Sequence, residues 1–435
     1  MLDIRLLRET PDVVKADLQK RERDPAAVDE VLAHDRAWRE GLQDLNELRA
    51  QRNAAAKAIS EAKKSGGDTQ AAVAAMQQVA ADIKAMEKQV AQAEADRDAL
   101  LRRLPNLMHE SVPVGEDDTK NVLLRDWGGQ PKHDFEAVSH VDLLESLDVA
   151  DLERAARAAG SRFFYLKNDL VLLGRALEFF ALQHLAGKGY QPVEPPYMLR
   201  REAIEGAVDL SDFEDVIYRV EAGAGADADK GDANELFLIA TSEHPLAALH
   251  MGEILEAADL PLKYAGVSPC FRKEAGAHGK DQKGIFRVHQ FSKVEQFVYC
   301  NADDSWPLHE ELITNAEELY QALGIPYRVV VICTGDLGTV AAKKYDIEAW
   351  MPVQGAYREV VSCSNCTDYQ ARRYGTRTRK APGEPTEPVH TLNSTAIAVQ
   401  RTLVAILENF QNEDGSVTIP EPLRPFVGKD RMEPA

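Results

Sequence analysis

Cysteine is scarce, five in 435 residues, and an odd number of them fits reduced thiols better than a disulfide framework. Uninterrupted apolar runs are missing too, since nothing approaches the roughly 18 residues that a membrane span requires. The longest apolar segment, LVLLGRALEFFALQHLAG, carries Arg175, Glu178 and His184 and reads as a buried helix. The opening MLDIRLLRETPD is charged from its third residue and lacks the basic-then-apolar order of a secretory signal, so a cytoplasmic location away from membranes is expected. Neither G-x-x-x-x-G-K-[ST] nor a G-x-G-x-x-G turn after a strand occurs, which leaves P-loop and Rossmann readings unsupported. Positive charge is in deficit: 51 Lys and Arg against 71 Asp and Glu give −20, which argues against a general coat for nucleic acid but not against a local basic patch.

What is present has the composition of a globular chain, and its length favours two domains. From about residue 27 to 104 the sequence is rich in Ala, Gln, Glu, Lys and Arg and is broken once, at Gly66-Gly67. Met76, Val79, Ile83, Met86, Val90, Ala93, Arg97, Leu100 and Leu104 form a heptad seam with one polar interruption. Val31, Trp38, Leu42, Leu45, Ala56 and Ile59 answer it. Each stripe is too narrow to be buried alone, so an antiparallel two-helix arm on the order of 50 Å long is expected, with Trp38 in its core. Near its turn Arg49, Arg52, Lys57, Lys63 and Lys64 stand against Glu61 alone. Such a run is usually a solvated face; on an arm it also suits nucleic-acid phosphates.

Thr10-Pro11-Asp12 reads as a helix start, and Pro105, Pro113, Gly115, Gly128, Gly129 and Pro131 mark residues 105–133 as a linker. Beyond it, apolar runs such as ELFLIA, QFVYC and YRVVVICTG alternate with amphipathic helices, and EAGAGADADKGDAN at 221–234 reads as a surface loop. Within 271–295, FRKEAGAHGKDQKGIFRVHQFSKVE, Arg272 and Glu274 run out along one limb and Arg287, Phe291 and Glu295 return. Arg272 suits a phosphate, the Phe291 ring suits an adenine, and Glu295 suits an ammonium group. Further on, Asn393 and Thr395 precede a small-residue run that opens a helix bearing Arg401, and Glu359 and Ser362 are plausible Mg²⁺ ligands beside phosphates.

FRKE with RVHQF, and the small-residue run into Arg401, resemble motifs 2 and 3 of the class II aminoacyl-tRNA synthetases. GYQPVEPPYM, 189–198, resembles motif 1, with Pro196 in the proline position of the dimer interface. TSEHPLAALH, SPCFRKEAG, HQFSKVEQF, CTGDLG, YREVVSCSNCTDYQARR and HTLN, taken with the arm, are similar to the seryl-tRNA synthetases of the common bacterial type across nearly the whole chain. The resemblance implies an α+β protein: a coiled-coil arm within a tRNA-binding domain at 1–104, then a class II catalytic domain at 134–428 with an antiparallel sheet flanked by helices, and a disordered tail at 429–435.

It also implies ATP and Mg²⁺, L-serine and tRNA(Ser) as reaction partners, with tRNA(Sec) left open. A homodimer through motif 1 is implied, the arm of one subunit gripping tRNA whose end lies in the other's site. Arg272, Glu274 and Arg401 correspond to catalytic positions. Thr241, Ser242, Glu243, Arg272, Glu295, Asn393 and Thr395 correspond to the serine site. Arg272, Lys273, Glu274, Val288, Phe291, Glu359, Val360, Val361, Ser362 and Arg401 correspond to the ATP site, with Glu359 and Ser362 on Mg²⁺. The basic residues near the arm's turn would hold tRNA. One departure stands out, NSTAIAVQR where relatives often read NGSGLAVGR, and Gln400 is its only bulky replacement.

Two other readings compete. An amino acid:carrier-protein ligase would keep the adenylation residues, but such homologues lack the arm; a non-catalytic coiled-coil protein would have no reason to keep Arg272, Glu274, Glu295 and Arg401 together. Cys363 and Cys366 form a lone C-x-x-C without a second pair, which favours structural thiols over zinc. His289 and His244 read as packing residues.

Overall fold

The computed structural model describes residues 1–66, 68–208, 215–220, 235–274 and 283–435; the loop expected at 221–234 lies outside them. The described residues divide into two compact units, Met1–Leu107 and Met108–Ala435.

In the first unit, α1 (Ile4–Glu9) and α2 (Pro11–Lys20) precede the arm helices α3 (Ala26–Lys64) and α4 (Gln70–Arg103). Pro11 opens α2, where its missing N–H costs nothing. After α3 the chain turns at Gly66, whose φ of 75° is a left-handed conformation that glycine adopts without strain. The seam is filled as the heptads require, with Leu45, Ile83 and Val90 buried and Trp38, Leu42, Val79 and Met86 packed around them. Its polar interruption is built in: the Arg97 guanidinium lies 4.3 Å from the Trp38 ring centroid and 3.9 Å from the Asp35 carboxylate.

Asp35 is fully buried and also takes Arg8 at 2.6 Å and Arg39 at 3.0 Å. Burial raises its pKa, but the hydrogen bonds from those two arginines outweigh this and hold the carboxyl below its ordinary value. A group lowered in the folded state stabilises above its unfolded pKa and loses that contribution as pH falls. Asp35→Asn should therefore cost the first unit about 2 kcal/mol at neutral pH. Denaturant melts at pH 7 and pH 3 should show the gap between parent and variant shrinking on acidification.

The second unit is organised by an eight-stranded sheet. Its strands are β1 (Val122–Trp127), β2 (Gln191–Val193), β3 (Leu262–Phe271), β4 (Gln290–Cys300), β5 (Tyr327–Val331), β6 (Lys343–Met351), β7 (Ala356–Thr367) and β8 (His390–Ala398). They are ordered β1-β5-β6-β7-β8-β4-β3-β2, and every pair is antiparallel except β2 with β3. Side chains alternate across a strand, and here the alternation separates two tasks. Val294, Val298, Ile347, Val361 and Leu392 join one large core with α5 (Asn168–Gly187), α7 (Ser305–Leu323) and α8 (Val399–Asn409). The alternate positions, Lys293, Glu295, Lys344, Asp346, Ser362 and Ser364, belong to the opposite face.

That second face is partly covered by the short helix α6 (Glu243–Ala248) and a smaller core around Phe297 and Tyr299. A Cβ on Gly266 would lie 2.8 Å from Leu246 and 2.9 Å from Ser242, so only glycine lets β3 approach the start of α6 so closely.

Three expectations need correction. Residues 122–127, read as linker, are the edge strand β1, and Arg125 pairs with Glu317 of α7 at 2.5 Å. The tail at 429–435 is tied down rather than disordered: Arg431–Met432 pairs with Val417–Thr418, Met432 is buried, and Lys429 reaches Asp169 at 2.8 Å. Helix α5 is buried on one face only, since Val171, Leu172 and Phe179 are exposed. By length and composition it could also cross a bilayer, although its inner face carries the main core and the buried Glu178, paired with Arg175 at 2.7 Å.

Candidate active site

The open face of the sheet carries polar residues in cross-strand rows. Lys344 of β6 pairs with Ser364 of β7, which pairs with Asn393 of β8, while Asp346 pairs with Ser362. Two irregularities shape the rest. Between Glu359 and Val361 the β7 register skips Val360, and between Thr395 and Ile397 the β8 register skips Ala396. Residues three apart on a regular strand face opposite ways; a bulge returns them to one side. Glu359 and Ser362 thereby line the same cavity, as do Thr395 and Ala398.

This first cavity, about 340 Å³, is rich in cations. Arg272 follows β3, where its backbone N–H still donates to the His289 carbonyl at 2.9 Å and its Nε donates to the Ala240 carbonyl at 3.3 Å. Its guanidinium lies 5.2 Å from the Phe291 ring centroid. Arg401, in the first turn of α8, donates to the Glu359 carbonyl at 2.9 Å, stands 3.4 Å from the Glu359 carboxylate and lies 5.1 Å from the Phe286 ring centroid. Arg287 holds the Glu274 carboxylate at 2.9 Å. Val288 and Val360 complete the wall. Gln400 accepts the Ser292 backbone N–H at 2.8 Å, so the bulky replacement in the third motif ties α8 to β4.

Beneath Thr395 lies Glu295, buried, with Thr395 Oγ1 at 3.4 Å and Lys293 Nζ at 2.5 Å from its Oε2. Burial raises its pKa, against the pull of Lys293 and Arg272.

The second cavity, about 350 Å³, is bordered by Thr241, Glu243 and Asn393. Thr241 Oγ1 accepts the Glu243 N–H at 3.2 Å. The Glu243 carboxylate accepts from Gln370 Nε2 at 2.8 Å, and Gln370 in turn accepts from Thr391 at 2.7 Å. Burial, and after it the charge of Glu295, push the Glu243 carboxyl up to about 7. His244 is buried, and burial followed by Arg272 and Lys293 drives its pKa down to about 3, so it is neutral. His289 Nδ1 donates to the Arg272 carbonyl at 2.9 Å. His289 packs against Phe163, with ring centroids 5.0 Å apart, whereas His244 borders the second cavity.

Four expected residues do not line either cavity: Glu295, buried beside Thr395, and three others. Ser242 is buried under Gly266 with its hydroxyl 2.7 Å from that of Ser268. Val361 points into the main core, since the pleat turns it away from Ser362. Lys273 is placed outside the walls, its backbone N–H donating to the Val216 carbonyl at 2.8 Å. Residues not anticipated are Phe286, Lys293, Lys344 and Gln370. KKYDIEAW carried a usable signal, because its period-two alternation puts Lys344 and Asp346 on the face opposite Tyr345 and Ile347.

Among the described residues no cluster of three or more His, Cys, Asp or Glu could enclose a metal. A magnesium ion needs less, because it takes one or two carboxylates and completes its shell with phosphates and water. Glu359 and Ser362 fit that pattern. The side chain of Glu359 is half exposed, and although partial desolvation opposes its ionisation, Arg401, Lys344 and Arg272 outweigh it and hold the carboxyl below its ordinary value, so an anionic oxygen faces the cavity. Cys363 and Cys366 are buried, unbridged thiols, with Asn393 Nδ2 donating to Cys366 Sγ at 3.5 Å. Along the arm Arg49, Arg52, Lys57, Lys63 and Lys64 are all exposed, and Arg49 is partly offset by Glu87 at 2.8 Å.

Both units match known protein families. Residues 1–108 match the family described as the seryl-tRNA synthetase N-terminal domain, and 218–410 match the tRNA synthetase class II core domain of the G, H, P, S and T group. A serine–tRNA ligase of Thermococcus sibiricus is 52% identical over 456 aligned residues, covering 100% of this chain and 98% of the relative. A crystal structure of seryl-tRNA synthetase from Pyrococcus horikoshii complexed with ATP superposes with a TM-score of 0.91 at 50% identity, covering 100% of both chains. The cytoplasmic serine–tRNA ligase of Naegleria fowleri, solved with AMP, superposes at 0.86 with 38% identity, covering 100% of this chain and 99% of that one.

Proposed function

This chain belongs to the class II seryl-tRNA synthetase family, and from that premise we propose how its residues divide the work. It is a serine–tRNA ligase: it activates L-serine with ATP to seryl-adenylate and pyrophosphate, then transfers the seryl group to the 3′ end of tRNA. The observation that carries the division is the pair of adjoining cavities, one cationic with two phenylalanines, the other bordered by Thr241, Glu243 and Asn393.

A carboxylate attacking the α-phosphorus needs no base; it needs alignment and cations around the phosphorane. We assign Arg272 to the serine carboxylate and α-phosphate and Arg401 to the far end of the triphosphate. Phe291 and Val288 take the adenine, and Glu274, held by Arg287, takes the adenine and ribose end. Mg²⁺, when bound by Glu359 and Ser362, neutralises phosphate charge. Glu295 with Thr395 reads the serine ammonium and hydroxyl, since alanine would leave those buried groups unpaired. Threonine is refused by fit, a weaker sieve of about 1–3 kcal/mol per methyl group.

Glu243 gives this assignment a pH signature. An ammonium group favours its ionised form, and its pKa near 7 in the free enzyme means that proton release accompanies binding. The kcat/KM for serine should therefore rise with pH up to about 7 and then level off. Glu243→Gln should flatten that limb and lower the plateau; an unchanged limb in the variant would remove Glu243 from the serine site.

The exposed basic residues of the arm support tRNA(Ser) contact through phosphates, with tRNA(Sec) as a further candidate. The exposed Val171, Leu172, Phe179 and Met198, together with the edge strand β2, support a homodimer through the motif 1 region. The substrates support a cytoplasmic site of action. Motif wording points to a bacterial subtype, whereas the Thermococcus and Pyrococcus relatives are archaeal. The test is charging of an unfractionated tRNA pool with labelled serine, in which label should appear on tRNA(Ser). Label on a carrier protein, or on no acceptor, would count against the reading.

A further inference from the structure

The two cavities have different walls but share two residues, Arg272 and Lys344. On β7 the boundary falls between Ser362, in the first cavity, and Ser364, in the second; on β8 it falls between Thr395 and Asn393. Lys344 lies opposite Ser364 on the neighbouring strand, in the same row as Asn393. Its ammonium is 3.4 Å from the carboxylate of buried Asp346, two residues along the same face, whose other oxygen has no hydrogen-bond partner among the described residues.

Serine activation fixes what must happen at such a boundary. A serine carboxylate oxygen forms a bond to the α-phosphorus while the bond to the α,β-bridging oxygen breaks. That oxygen leaves with the electron pair on pyrophosphate, and no proton moves. The reacting phosphorus therefore lies where the amino-acid and nucleotide spaces meet, between the two residues common to both walls. We propose that Lys344 is a second catalytic cation of adenylate formation, facing Arg272 across the α-phosphoryl group, and that Asp346 is its positioning residue. Lys344 keeps its proton throughout and acts through charge, which grows on the equatorial oxygens as the phosphorane forms.

The inference rests on the function proposed above, and serine-dependent pyrophosphate exchange separates the two. No exchange in the parent enzyme would overturn that function and this inference with it. With an active parent, Lys344→Met should lower kcat roughly 100-fold or more, the scale of losing one preorganised group at a developing charge. The KM for ATP should stay within about threefold, because the lost interaction belongs to the transition state. Lys344→Arg should recover at least about a tenth of the parent rate, and Asp346→Asn should fall between parent and Lys344→Met. Thermal unfolding of the three variants identifies any that fails to fold, and Lys344→Arg keeps the claim testable if Lys344→Met does. Exchange within threefold of the parent in a folded Lys344→Met, or a loss confined to the KM for ATP, would overturn the proposal. So would a folded Lys344→Arg as inactive as Lys344→Met.

Discussion

Removing residues 30 to 102 should leave serine-dependent pyrophosphate exchange within about threefold of the parent rate and abolish charging of tRNA. The arm's core is its own: Leu45, Ile83 and Val90 with their neighbours form a separate cluster, and the chain divides into compact units after Leu107. Every residue assigned to adenylate formation lies in the second unit. None of the cavity-lining residues comes from the arm. What the deletion removes is a long surface carrying Arg52, Lys57, Lys63 and Lys64, whose charges have nothing to contribute to a reaction between two small molecules. A tRNA, by contrast, gains affinity from each phosphate contact and release of its counterions. Loss of exchange as well as charging would show that the arm is part of the activating machinery.

Arg272→Ala should act the other way, ending activation while leaving the protein folded. Its guanidinium borders both cavities and lies over Phe291, yet the backbone pairing with His289 does not depend on the side chain. Removing one preorganised group at a developing charge costs roughly 10² to 10³ in kcat, about 3–4 kcal/mol. Arg272 is assigned to both substrates at the point of reaction, so a loss at or above the upper end is expected. Exchange kinetics with a thermal unfolding curve on the same preparation check it. Exchange above a tenth of the parent rate would remove Arg272 from the α-phosphate.

The sequence was legible where periodicity decides structure. Heptads set the arm seam, and Gly66 marked its turn. It was less legible where a strand departs from regularity. Glu359 and Ser362 share a cavity because Val360 is bulged, and no local signal distinguishes that bulge from a regular strand that would have split them. Ser242 and Val361 lie within the right motifs but on the wrong side of a turn or pleat. The Asp35 cluster needs Arg8, Arg39 and Arg97 from three helices, a meeting that only tertiary structure arranges. The disordered tail failed for a similar reason, since Met432 is held by a strand whose partner lies at Val417–Thr418.

The most direct measurement of the central claim, that these paired cavities activate serine, is ATP–pyrophosphate exchange by the full-length protein against each of the standard amino acids. Exchange should be strong with serine, weak with threonine and at background with alanine, since alanine leaves Glu295 and Thr395 without the hydroxyl that they are placed to read. Background exchange with serine, or equal exchange with alanine, would contradict it.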